Sequence, residues 1–417
     1  MMPLTSNPLL RQWNKWKSAT WLPAILLILV QMASGMRDMP QFAFFLIYLQ
    51  EQLGLKPVTI SSLVAGAQIA GMVTALLGGA ITAKLGSKWV LVCGLTLSGL
   101  SSLAFQVPLL GLVVLLWFFG GAGMALVTVG GASYLTRISG RGSLGILAAF
   151  YALSMTVGGA IGNPFAGVLI EGHGFVAFSR AAMALSFGTI LVISLLMRHL
   201  QDQTMKQVSL RSFWSGVLDT ARQTNVRMLV GLRCLPTIFY GMLIMLIPLL
   251  INSLTGSKMM VAAYGTTNLI VASLAQLLAG RAVDRWGARR PTLLAYTALI
   301  LAGLGLTVSA GRLWGLFGFG VLGIAAAWSL STLMYVWVND GVPKAEHPST
   351  FGLLHAVWSL SMICGSLLGG WLVSPMPGLP FLVGGILNVG SLFLALSYYG
   401  RNLVKDTVSS NQGIREI

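Results

Sequence analysis

Charge is scarce in this chain. Only 10 of its 417 residues are Asp or Glu and 26 are Lys or Arg, 9% charged in all, against about a quarter in soluble globular domains. So few charges cannot cover a water-facing surface of this size, which excludes a soluble enzyme of two or three domains. Acids are scarcer than bases, and the net charge is +16. In a soluble chain that excess would point to nucleic acid; in an apolar one it marks loops on one side of a bilayer, so no nucleic-acid partner is expected. Cysteine is sparse too. Cys93, Cys234 and Cys364 all lie in apolar runs, which excludes a disulfide framework and a metal-ligand spacing, and no cofactor is expected. The histidines His173, His199, His347 and His355 stand apart, and neither G-x-S-x-G nor H-x-x-x-x-D occurs. A membrane-embedded lipid-modifying enzyme therefore lacks its reagents.

What the chain has is apolar length, with 56% hydrophobic residues. A spanning helix needs about 20 of them in a row. Twelve such runs are found, near 21–49, 59–83, 89–107, 111–136, 146–170, 179–199, 226–252, 260–280, 291–310, 314–338, 351–374 and 380–399. The first runs far beyond a signal peptide's core and is read as a retained span. The expected fold is all-α and integral to the membrane. Residues 1–20 form a tail, 21–199 a first six-helix bundle, 200–225 a polar linker, 226–400 a second bundle, and 401–417 a second tail. With the N-terminus inside, twenty of the 26 basic residues fall on the inner side, so both termini are expected in the cytoplasm.

The halves read as copies of one another. Gly145–Gly158 aligns without gaps on Gly352–Gly365, with seven of fourteen positions identical at an offset of 207. Gly79–Lys88 aligns on Gly280–Arg289 at an offset of 201. Two matches in consistent order argue for a six-helix repeat and a pseudo-symmetric pair of bundles.

The second of these stretches carries a family resemblance. Gly280-Arg281-Ala282-Val283-Asp284-Arg285-Trp286-Gly287-Ala288-Arg289-Arg290 resembles the G-x-x-x-D-R-x-G-R-[RK] loop of the major facilitator superfamily of secondary transporters. The resemblance covers nearly the whole chain and is strongest to bacterial efflux-type members. It implies two bundles rocking about a site near the midplane, a small-molecule cargo, a proton as coupling ion, no enzymatic activity, and a monomer in a bacterial inner membrane. It also implies a cytoplasmic gate at Gly280, Asp284, Arg285, Gly287, Arg289 and Arg290, with Gly79 and Gly86 as first-half counterparts. There Ala83 and Lys84 replace the acid and the arginine. In span five Gly158, Gly159, Gly162, Asn163, Pro164 and Gly167 resemble the G-x-x-x-G-P-x-x-G element of exporters, with Asn163 in place of a glycine. Small residues there permit close helix approach and Pro164 a bend. Trp117 stands where exporters carry a span-four arginine.

Ionisable side chains at membrane depth are costly and mark function. Span one carries Arg37 and Asp38, about 16 residues or ~25 Å from its inner end at 1.5 Å per residue. Neighbours on a helix point about 100° apart, so one of the two is expected to find its partner elsewhere. Gln31 and Gln41 add polarity at helical spacing. Arg233 and Tyr240 on span seven and Asn268 on span eight complete the cargo and coupling-ion candidates. Two arginines against one aspartate leave one positive charge in excess. The leading expectation is proton-coupled efflux with Asp38 as carrier; the alternative is uptake or exchange of an organic anion held by Arg37 and Arg233. Trp328, Trp337 and Trp358 are not assigned to cargo, and Gln68, Gln276, His355 and Asn388 are secondary candidates.

Overall fold

The computed structural model describes residues 21–139, 144–198, 222–343 and 346–413. The regular structure among them is helical: α1 Trp21–Glu51, α2 Pro57–Leu85, α3 Ser87–Ser101 with a 3-10 turn at Ser102–Gln106, α4 Leu110–Ile138, α5 Leu144–Leu196, α6 Thr224–Thr255, α7 Lys258–Trp286, α8 Arg289–Ser309, α9 Leu313–Gly341, α10 His347–Leu372 and α11 Leu379–Gly413. Helices dominate because lipid offers no hydrogen bonds, so each segment must satisfy its backbone internally. All eleven are long and apolar enough to cross a membrane. Helix α5, of 53 residues, breaks at Gly174 with φ 80° and ψ 174°, which divides it into two arms. Each arm exceeds the length of about 20 residues that a span needs. Eleven helices thus supply the twelve expected spans.

The outward faces are apolar as well as the core. Val308, Leu277 and Leu278 are exposed while Leu299, Leu306 and Ile247 are fully buried, as in helices that trade water for lipid. The expected linker at 200–225 and the tail at 1–20 lie outside the described residues, apart from 222–225. Helix α11 continues to Gly413, past residue 400 where the apolar run ends.

The chain packs as two compact units, Met1–Phe42 with Ile69–Gln207 and Ala43–Gln68 with Val208–Ile417. In the first, Leu27 and Val30 of α1, Leu91 and Leu95 of α3, Tyr134 of α4 and Ile193 of α5 form one buried apolar cluster. In the second, α6 is the most enclosed span, with 67% of its apolar window buried.

The repeat read from the sequence is present in the packing. In the first unit, a Cβ on Gly35 of α1 would meet the carbonyl of Met155 on α5, and one on Gly158 the carbonyl of Met32. In the second, a Cβ on Gly241 of α6 would meet the carbonyl of Met362 on α10, and one on Gly365 that of Ile238. The two sets are the same contacts displaced by 206 or 207 positions. Glycine lets the backbones of these helix pairs touch directly.

Candidate functional site

In the first unit, the charged pair on α1 departs from expectation. Arg37 and Asp38 do bind one another: Arg37 Nε donates to Asp38 Oδ1 at 2.7 Å and Nη2 to Oδ2 at 3.0 Å. The 100° between neighbouring Cβ atoms is bridged by the arginine stem, long enough to fold back along the helix. Arg37 is 2% exposed, and its remaining Nη1 donates to Ser186 Oγ on α5 at 2.6 Å. Gln41, one turn on, is tied into the junction after α3: its Nε2 donates to Ser101 Oγ at 2.7 Å and its Oε1 accepts from Ser102 at 3.0 Å. Gln31 donates to the Met155 sulfur at 3.2 Å. These groups fasten α1 to α3 and α5.

In the second unit a cavity of about 350 Å³ opens between α6, α7, α9 and α10. Arg233 and Tyr240 of α6, Trp328 and Ser331 of α9, and His355 and Trp358 of α10 line it. The α6 residues Arg233, Pro236, Thr237 and Tyr240 recur at helical spacing, so one face of α6 forms a wall. Arg233 Nη1 donates to Ser331 Oγ at 3.0 Å, whereas its buried Nε has no partner. Among the described residues no carboxylate pairs with it. Trp328 donates its ring N–H to Tyr240 Oη at 3.1 Å, and its carbonyl accepts from Gln276 at 3.3 Å. Trp337, also on the wall, gives its N–H to Thr292 at 3.1 Å and Tyr399 at 3.0 Å. His355 and Trp358 stack with ring centroids 5.6 Å apart. The cavity brings together Arg233 and Tyr240 among the expected residues. Asn268 is not in its lining; that side chain is buried on α7.

The turns after α2 and α7 show the second repeat. Gly86 has φ 78° and ψ 152° and Gly287 has φ 72° and ψ 168°, a region open to glycine and costly for other residues. Each closes its helix by donating to the carbonyl four residues back, Thr82 and Val283, at 2.8 Å. Asp284, Arg285, Arg289 and Arg290 are exposed; Arg285 lies over the Trp286 ring at 5.9 Å. Gly79 and Gly280 have open space at the Cβ position, so neither marks a close helix contact. Gly162 of the span-five element does, since a Cβ there would strike the Met36 backbone. Asn163 is buried and Pro164 lies inside α5.

The model of the Major Facilitator Superfamily matches residues 23–250 and 229–414. The chain belongs to that superfamily. It is 29% identical over 171 residues to the tetracycline resistance protein, class C, of Escherichia coli, across 40% of this chain and 42% of that protein. It is 26% identical over 184 residues to the class H protein of Pasteurella multocida, across 43% and 45%. These matches span less than half the length of either relative. A crystal structure of a mutant of the nucleoside transporter NupG is similar with a TM-score of 0.74 at 17% identity, covering 90% of this chain and 99% of that one. At that identity the likeness concerns the fold.

Superfamily membership makes the chain a multi-pass membrane protein of a family of transporters. Within that frame the sequence reading named Arg233 and Tyr240 but left Trp328, Trp337 and Trp358 unassigned and passed over Thr237 and Ser331. No local pattern ties these residues together, since they come from α6, α9 and α10. The one signal was the density of tryptophan on the last spans.

Proposed function

We propose that this chain is a secondary active transporter that moves a small organic molecule outward by alternating access, coupled to protons, as a monomer in a bacterial inner membrane with both termini cytoplasmic. The observation that carries the reading is the cavity around Arg233: a part-buried cation with a free donor, set among polar and aromatic side chains inside a membrane protein. Groups of that kind mark cargo or ion paths. Outward direction is supported by the tetracycline resistance relatives and by the Asn163-Pro164 element. For coupling, Asp38 holds Arg37 through two hydrogen bonds in a nearly water-free interior. A proton on that carboxylate would weaken the pair and free the guanidinium.

A second reading, uptake or exchange of an organic anion, is favoured by one feature: Arg233 lacks a counter-ion among the described residues. The test of both uses purified protein in liposomes with an imposed pH gradient and a trapped pH dye. Lipophilic cations, neutral drugs and organic acids are added in turn to wild type and Asp38→Asn. Proton flux that depends on cargo and vanishes in Asp38→Asn supports the exporter. Flux that persists in that variant, or acid movement that needs no proton gradient, replaces it with anion exchange.

A further inference from the structure

We propose that the cavity of the second unit is a binding site for small aromatic carboxylates; this rests on the reading of that cavity as the cargo site. Three features of the lining converge. Arg233 holds a positive charge in a part-buried place, and among the described residues no carboxylate pairs with it. One of its donors is used by Ser331 and Nε is unpartnered. A part-buried cation without a counter-ion gains from an anionic ligand, and a planar guanidinium with spare donors is shaped for the two oxygens of a carboxylate. A cationic ligand would meet like charge.

The second feature is the walls. Trp328 and Trp337 have their N–H groups engaged by Tyr240, Thr292 and Tyr399. Trp337 is buried and backs the wall, so what the wall has left to offer an occupant is the ring surface of Trp328, and the stacked pair His355 and Trp358 adds more. Flat aromatic surface favours a flat aromatic ligand by stacking. A bare inorganic anion would leave that surface unused.

The third is size. A volume of about 350 Å³ lies at the low end of ligand sites, roughly 300–1,000 Å³. It suits a one-ring or fused two-ring acid. The chemistry is therefore a ring of that size bearing one carboxylate, with the carboxylate at Arg233 and the ring between Trp328 and Trp358.

The test is binding without transport. Wild-type protein in nanodiscs is titrated with benzoate, indole-3-acetate, benzamide, benzylamine, cyclohexanecarboxylate and acetate, read by tryptophan fluorescence and calorimetry. Benzoate and indole-3-acetate should bind, with benzamide and acetate weaker by about tenfold or more, as expected for loss of a charge-assisted contact or of the ring. Cyclohexanecarboxylate should fall between, and benzylamine should not bind. Arg233→Gln should abolish the preference of benzoate over benzamide, and Arg233→Lys should keep part of it. Equal binding of benzoate and benzamide to the wild type, or preferred binding of benzylamine, overturns the proposal with no variant needed. So does a carboxylate preference intact in Arg233→Gln. Benzoate binding without flux in liposomes would sink the reading of the cavity as the cargo site and leave the binding site standing; flux of neutral or cationic cargo with no benzoate binding would overturn the binding proposal and leave the transport reading standing.

Discussion

Lys258, the first residue of α7, donates to Glu51, the last residue of α1, with Nζ 2.6 Å from Oε1. Asn252 at the end of α6 closes the triangle, accepting from Lys258 at 2.9 Å and donating to the same Glu51 oxygen at 2.8 Å. Lys258 and Asn252 are buried, so the carboxylate is what satisfies their donors. Glu51→Gln is expected to lower stability by about 1 kcal/mol, because the Glu51 side chain is still one-third exposed and water screens the pair. A double-mutant cycle with Lys258→Met, read by thermal unfolding in detergent, should show coupling of similar size. Additive effects would mean that the contact contributes nothing.

The pair Arg37 and Asp38 should behave differently, since its side chains are 1% and 15% exposed. Asp38→Leu leaves a guanidinium stranded in the interior with only Ser186 as partner. The expected loss is about 3–5 kcal/mol, and Arg37→Met combined with Asp38→Leu should recover a good part of it, because removing both charges removes the desolvation cost. Thermal midpoints of the single and double variants in one detergent decide the matter. A double variant no better than the single would show that the pair is not electrostatically anchored.

The spans were legible because each needs an unbroken apolar run, and a run of that length has few other uses in a chain this poor in charge. The bundle repeat was legible for a related reason. Close backbone contact demands glycine, so Gly158 and Gly365 stayed aligned in sequence and in space. Illegible features depend on reach and on distant neighbours. A rule based on Cβ direction could not see Arg37 fold back onto Asp38. Glu51 and Lys258 lie just outside the apolar runs 21–49 and 260–280, and no local pattern joins them before α1 and α7 are placed together. The Arg233 cavity draws on residues about 100 positions apart, and nothing local announces it. Gly174 looked like part of a loop, yet helix continues on both sides of it.

The turn glycines set up a third test. Gly287→Ala puts a Cβ on a backbone with φ 72° and ψ 168°, which costs about 1–3 kcal/mol. Gly86→Ala, with φ 78° and ψ 152°, should cost about the same, because the two turns are copies. Both are measured as loss of thermal stability. A tolerated alanine at either position would show that the turn can relax into an ordinary conformation and that the repeat there is not a constraint.

Helix contact and gating can be separated by four alanines. At Gly162 and Gly365 the new Cβ lands on the backbone of Met36 or Ile238, and a backbone cannot yield as a flexible side chain can. Gly162→Ala and Gly365→Ala should each cost about 1–3 kcal/mol, as overpacking does. At Gly79 and Gly280 nothing lies within 4 Å, so alanine there should be neutral or stabilising by about 0.5–1 kcal/mol through helix propensity. Those two variants then isolate motion from folding. If Gly280→Ala is as stable as wild type yet slows cargo flux in liposomes, the glycine serves a conformational change at the end of α7. If its flux is unchanged, Gly280 has no part in a gate, and any gate there must rest on Asp284, Arg285 and the turn at Gly287.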